Sequence, residues 1–181
     1  MPGIFLLGPD QWDEAVVMAP PAWVASLLGP EAHPFTPRTL RKALAVLLDR
    51  ESSGEWHGLV MDPEGQLSGE DDADYFERIE EEHTPVAYVF VIPEKAKIIG
   101  TVFEEGMLRR DFKYGHGPRV LLFLETGTAN ALPGGVYEFV SKGKRTRYLR
   151  SLARKAEHVE FWRTFEDLRD DLLRRVLVGM T

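Results

Sequence analysis

Cysteine and long apolar runs are both missing from this 181-residue chain. Without cysteine, the chain cannot carry a disulfide framework, a zinc–thiolate site, an iron–sulfur cluster or a cysteine nucleophile. No run of about 18 or more apolar residues occurs, so we expect no membrane span. The amino terminus also lacks the basic residues of a signal peptide. The lack of disulfides fits a reducing compartment, and we expect a cytoplasmic protein.

Basic residues are fewer than acidic ones, at 22 against 29, which gives a net charge of −7. This balance and a pI near 5.3 argue against a dedicated nucleic-acid binder. The charges are unevenly spread, because residues 62–82 hold ten acids and one base, whereas residues 142–155 hold seven bases and no acid. The basic stretch has four interpretations: a solvated helix face, a phosphate-binding surface, a nucleic-acid contact, or an interface with the acidic stretch of a second copy.

Short apolar runs alternate with segments of helical periodicity, which predicts one α/β domain over residues 1–181. Such alternation produces right-handed βαβ crossovers and a parallel sheet with helices on both faces. We therefore expect a three-layer α/β/α sandwich, flavodoxin-like or Rossmann-like, with a five-stranded, mainly parallel sheet in the order 2-1-3-4-5. The predicted strands cover residues 4–7, 56–61, 86–92, 120–124 and 158–162.

The helices have recognisable starts. Thr36-Pro37 predicts one, because the hydroxyl can cap the first turn and proline suits the first helical position. Before it, five prolines within residues 12–37 predict an irregular segment with a short helix at 22–28. Residues 126–135 are predicted to be a loop. Further helix starts are predicted at Asp71 or Asp72 and at Thr164.

Ligands of open parallel sheets bind beyond the carboxyl ends of the strands, at the point where the winding of the sheet reverses. In the order 2-1-3-4-5 this point lies between the first and third strands, so we expect the loops after these two strands to face one another. The first loop carries Gly8, Pro9 and Asp10. The second loop leads to residues 100–106, which read GTVFEEG.

Glu104 lies about one turn into a helix predicted over residues 101–112. Gly100 allows the backbone to approach a ligand closely, and the free N–H groups of a helix start attract anions. Two interpretations of Glu104 remain open. It is either a catalytic nucleophile or base, or an ordinary capping-box residue with Thr101 as the cap.

Two other residues near this point also have alternative interpretations. Trp12 either stacks on a base or closes the core, and Asp62 either binds a ribose hydroxyl or caps a turn. The five histidines lack the H-x-x-x-H and H-E-x-x-H spacings of metal sites. We therefore expect no metal ion and no cofactor.

Two segments resemble the nucleoside 2-deoxyribosyltransferase-like superfamily. Ile4-Phe5-Leu6-Leu7-Gly8-Pro9 resembles its opening strand, which ends in Gly-Pro. Gly100-Thr101-Val102-Phe103-Glu104-Glu105-Gly106 is similar to its G-T-x-x-E segment, which also follows the third strand and opens a helix. The resemblance covers residues 3–10 and 86–125.

In that family the matching glutamate attacks the anomeric carbon of a nucleoside and expels the base, and the glycosyl-enzyme then passes its sugar to another base or to water. This scheme parallels that of retaining glycosidases. The resemblance implies that Glu104 is the nucleophile, that the substrate is a small nucleoside or nucleotide, and that the protein is a homo-oligomer. The candidate substrate-binding residues are Gly8, Pro9, Asp10, Asp62, Gly100 and Thr101.

Two alternatives use the same fold. One is an NAD glycohydrolase, which cleaves the nicotinamide–ribose bond with the same glutamate, and the other is a non-catalytic module that senses a nucleotide or binds a partner. A second motif is also present, since residues 131–135 resemble the P-G-G start of a phosphoribohydrolase motif of the lysine-decarboxylase-like type. Ser141 stands where the glutamate of that motif should be, so we interpret residues 131–135 as a turn.

Overall fold

The main sheet of the described residues has five strands, all parallel. The computed structural model describes residues 2–13, 15–61, 63–97, 118–134, 136–140 and 144–178. When these five strands are numbered along the chain, they lie side by side in the order 2-1-3-4-5, which confirms the predicted topology. The strands are β1 (Gly3–Leu7), β3 (His57–Leu59), β4 (Pro85–Ile92), β6 (Arg119–Glu125) and β9 (His158–Trp162).

Helices cover both faces of this sheet, so the fold is the three-layer α/β/α sandwich that the alternation predicts. The described helices are α1 (Ala22–Leu28), α2 (Pro37–Glu51), α3 (Asp72–Glu82), α4 (Lys144–Lys155) and α5 (Phe165–Leu173). One face of the sheet packs against α1, α2 and α5, and the other face packs against α3 and α4. A π-helical turn, Arg174–Val178, extends α5.

β4 is the central strand, and its last six residues are buried. Its side chains alternate between the two faces of the sheet, so each face receives part of the apolar run. On the α3 side, the ring of Tyr88 packs 5.7 Å from Phe5 and 6.3 Å from Phe76, measured between centroids. Val89 and Val91 belong to the opposite core with α2 and α5.

The predicted helix starts are confirmed. Thr36 caps α2 by accepting a hydrogen bond from the Thr39 amide, and Pro37 occupies the first turn. Asp71 caps α3 in the same way, and Thr164 with Asp167 forms a capping box at α5.

Two predicted boundaries are wrong. The strand predicted over 56–61 is only three residues long, because β1 pairs with it only from Gly3 to Phe5. Residues 126–135 are not simply a loop, because β7 (Ala129–Leu132) and β8 (Val136–Phe139) form an antiparallel hairpin. The turn around Pro133-Gly134 joins these strands, so the turn prediction there holds while its flanks are strands.

A second small ribbon lies at the carboxyl edge of the main sheet. β2 (Gln11–Trp12) follows β1, and β5 (Ala96–Lys97) follows β4. The two pair as an antiparallel ribbon, so the loops after β1 and β4 do face one another. Among the described helices, none combines the length and apolar character that crossing a bilayer requires.

Candidate functional site

The site predicted at the reversal of winding begins where β1 ends against β4. Gly8 and Pro9 are buried there. Gly8 has a φ of 145°, and a Cβ added to it would collide with the backbone carbonyl of Val91 in β4. Only glycine therefore allows the chain to leave β1 this close to its neighbour.

Asp10 follows this glycine and is held by two arginines of α2. Arg38 donates from Nε to Oδ1 at 3.1 Å and from Nη2 to Oδ2 at 2.6 Å, which is a bidentate pair. Arg41 donates from Nη2 to Oδ1 at 2.6 Å and from Nη1 to the carbonyl oxygen of Pro9. Only 3% of the Arg41 side chain is exposed, against 40% for Asp10. The cluster fixes the loop after β1 to the first turns of α2.

Opposing influences act on the pKa of Asp10. Burial raises it, whereas the hydrogen bond from Arg38 and the charges of Arg41 and Arg38 lower it, and the net result is a pKa below the ordinary value. Asp10 is therefore an ionised, hydrogen-bonded carboxylate. Its role as a substrate-binding residue stays a prediction, since its oxygens already accept hydrogen bonds from α2.

Trp12 closes the core. Its side chain is 9% exposed, its Nε1 donates to the carbonyl oxygen of Phe35 at 2.8 Å, and its ring lies 5.9 Å from the Phe35 ring. Of the two interpretations of Trp12, the structure supports packing, and the ring is not available to stack on a base. The contact also ties the irregular segment 12–37 to the carboxyl edge.

Arg145, in the first turn of α4, reaches the same edge from the other face of the sheet. Its Nη1 donates to the carbonyl oxygen of Ala96 at 3.1 Å, and its Nη2 donates to those of Pro93 and Glu94 at 3.2 and 2.6 Å. Burial lowers the pKa of Arg145, while the charges of Asp13 and Glu94 oppose that change. The basic stretch thus does reach the loop after β4, through its first turn.

Two carboxylates meet beside this loop. Glu125, at the end of β6, accepts a hydrogen bond from the Glu94 amide at 2.7 Å. Burial raises the pKa of Glu125, the nearby Glu94 charge raises it further, and the Glu94 amide and Lys95 oppose the change. The Glu94 carboxylate lies over Gly127, where an added Cβ would be 2.8 Å from its carboxyl carbon. Glu125 therefore binds a proton more readily than an ordinary glutamate.

The predicted residues divide into two groups. Gly8, Pro9 and Asp10 lie together at the point of reversal, whereas Asp62, Gly100, Thr101 and Glu104 lie outside the described residues. Sequence reasoning missed Arg38, Arg41, Arg145 and Glu125 as members of this edge. Signals existed for Glu125, because it directly follows the strand predicted over 120–124, and for Arg145, because it belongs to the basic stretch 142–155.

Within the described ranges, no three histidine, aspartate or glutamate side chains are grouped so that they could hold a metal ion. Compared with protein-family models, curated proteins and solved structures, the chain matches none of them.

Proposed function

We propose that the protein cleaves or transfers the N-glycosidic bond of a nucleoside or nucleotide, with Glu104 as the nucleophile. One observation carries the proposal. The loop after β1, with Gly8 and Pro9, is hydrogen-bonded through the β2–β5 ribbon to the segment that leads to Gly100. Gly100 follows Lys97 by three residues, and three residues of extended chain span at most about 11 Å. The loop with Gly8 and Pro9 and the chain that leads toward Gly100 therefore lie at one edge of the sheet, which supports the proposal.

The chemistry follows the two-step scheme of retaining glycosidases. The Glu104 carboxylate attacks the anomeric carbon, the carbon–nitrogen bond breaks, and the base leaves with the electron pair of that bond. Water or a second base then attacks the same carbon and releases the carboxylate. The leaving base takes a proton from solvent, and the attacking water or second base returns a proton to solvent, so that protons balance over the cycle.

The proposal also covers the ligand, the oligomeric state and the cellular compartment. The ligand is a small nucleoside or nucleotide, the protein is a homo-oligomer, and the cysteine-free composition suits the cytoplasm.

The test is base release. Deoxynucleosides, ribonucleosides, nucleoside monophosphates and NAD are each incubated with the protein, and free base is measured by chromatography. We expect release with at least one of them, and we expect Glu104→Ala to reduce the rate about a thousand-fold or more, because the nucleophile is lost.

Glu105→Ala is the matched control, since it removes the neighbouring carboxylate and should leave the rate within about three-fold. If no compound releases base, the activity is refuted. If Glu104→Ala and Glu105→Ala are equally active, the role of Glu104 is refuted. Release of nicotinamide alone would assign the protein as an NAD glycohydrolase.

A second candidate is a non-catalytic module that senses a nucleotide. The burial of Trp12 and the engagement of Asp10 by two arginines favour it, because they show that the loop after β1 is occupied by contacts within the chain. Nucleotide binding without base release, unchanged by Glu104→Ala, would support this candidate.

A further inference from the structure

A cavity of about 500 Å³ lies between the β7–β8 hairpin and α4. This volume is within the range of small-molecule sites, roughly 300–1,000 Å³. Among the residues that the structure describes, none in the loops after β1 and β4 lines it. The lining residues are Val136, Tyr137, Phe139, Arg150, Ala153 and Arg154.

The strand side of the cavity is apolar and aromatic. Val136 is 57% exposed, so an apolar group in the cavity can contact its side chain. The Tyr137 ring packs 5.7 Å from the Phe161 ring of β9, measured between centroids, and this contact supports the Tyr137 ring from one side. A planar, apolar group would therefore find a supported aromatic surface here.

The helix side of the cavity is cationic. Arg150 and Arg154 are four residues apart, so they occupy the same face of α4 one turn apart. Both are exposed, and neither guanidinium has a hydrogen-bond or ion-pair partner among the residues that the structure describes. No acid occurs in the sequence of α4, so the helix itself supplies no counter-charge. Two guanidinium groups so spaced suit an anion with several acceptor oxygens.

We propose that this cavity binds a nucleoside monophosphate, with the phosphate on Arg150 and Arg154 and the base against Val136 and Tyr137. The small volume favours a single nucleotide over a peptide or a nucleic-acid strand. The proposal goes beyond the proposed function, because it assigns a second site at which no bond is broken and which does not involve Glu104.

The experiment is calorimetric titration of the full chain with the four ribonucleoside monophosphates, with adenosine and with inorganic phosphate. We expect at least one monophosphate to bind, and Arg150→Gln and Arg154→Gln each to weaken its binding about ten-fold. Val136→Asp tests the other wall and should weaken binding similarly, because it replaces an apolar contact with the base by a charged carboxylate that binding would remove from water.

Arg147→Gln is the matched control, since it removes the same charge from the same helix at an exposed position outside the cavity. A loss at least five-fold greater for both cavity arginines than for Arg147→Gln supports the site. A smaller difference means general attraction to a basic helix and overturns it, as does the absence of binding. Equal affinity for inorganic phosphate and the monophosphate overturns the role of the base. Because binding is measured rather than turnover, the result is independent of base release.

Discussion

At the scale of single residues, the charges that matter most at the carboxyl edge are those removed from water. Arg41 is almost fully buried and has Asp10 as its anionic partner, whereas pairs such as Arg169–Asp170 lie largely in solvent. An exposed pair contributes little, but removing one member of a buried pair leaves the other charge uncompensated. We therefore expect loss of the Asp10 carboxylate to lower the free energy of unfolding more than loss of an exposed carboxylate such as Asp170.

We predict that Asp10→Asn lowers the free energy of unfolding by about 2 kcal/mol at pH 7, because the buried Arg41 loses its counter-charge while Asp10 itself is partly exposed. Urea denaturation measures this change. The pKa of Asp10 is depressed in the folded state, so its contribution is complete above the ordinary value of about 3.9, begins to fall near that value and is lost as the pH falls through the lower pKa of the folded state. The difference between wild type and variant should therefore shrink between about pH 5 and pH 3.

Asp170→Asn serves as the control. It breaks a pair of 2.7 Å whose carboxylate side chain is 62% exposed, and we expect a change within about 0.5 kcal/mol. Equal effects of the two variants, or a loss at Asp10 that persists unchanged at pH 3, would show that the Asp10 cluster is an ordinary surface pair.

At the scale of elements, helix starts could be predicted from the sequence, whereas contacts between distant segments could not. The starts of α2, α3 and α5 were predictable, because Thr36, Asp71 and Thr164 bond to amides two or three residues away. The β2–β5 ribbon and the reach of Arg145 to Pro93 join residues tens of positions apart, so no periodicity encodes them. The β7–β8 hairpin was predicted only in part, because the sequence indicated its turn but not its two short strands.

We predict that Arg145→Lys loosens the β2–β5 ribbon. Lysine keeps the charge but cannot present the two guanidinium arms that bond the carbonyl oxygens of Pro93, Glu94 and Ala96. The Asp13 amide, which bonds the Lys95 carbonyl oxygen at 2.9 Å, should exchange its hydrogen about ten-fold faster.

Arg147→Lys makes the same substitution two residues along the helix and should leave this amide unchanged. The Tyr75 amide, bonded to the Asp71 carbonyl oxygen in α3, is the internal reference in both variants. Faster exchange at Tyr75 as well would indicate global destabilisation, and no change at Asp13 would mean that Arg145 does not hold the ribbon.

At the scale of the whole molecule, the net charge of −7 conceals two helices of opposite sign on one face of the sheet. Acidic α3 contributes Phe76 to that face, and basic α4 contributes Leu149 and Leu152. A second copy could thus meet α4 with its own α3, which is the interface that the charge distribution predicts.

We predict that the protein self-associates and that added salt dissociates the assembly. The Debye length falls from about 10 Å at 0.1 M salt to about 3 Å at 1 M, which screens attraction between exposed charges. Light scattering after size-exclusion chromatography at both salt concentrations measures the mass. Arg147→Glu on α4 should favour the monomer, whereas Arg163→Glu, in the loop after β9, should not. A monomer at low salt, or a mass that salt leaves unchanged, would contradict the prediction.

α4 has a different contact at each end. Its first turn holds the loop after β4 through Arg145, and its second half lines the cavity through Arg150 and Arg154. At 1.5 Å per residue, Arg145 and Arg154 are about 14 Å apart along the axis. If a ligand in the cavity shifted this short helix as one body, it would also displace the hydrogen bonds of Arg145 at the carboxyl edge. By linkage, a ligand bound at the carboxyl edge would then change the affinity of the cavity by the same factor.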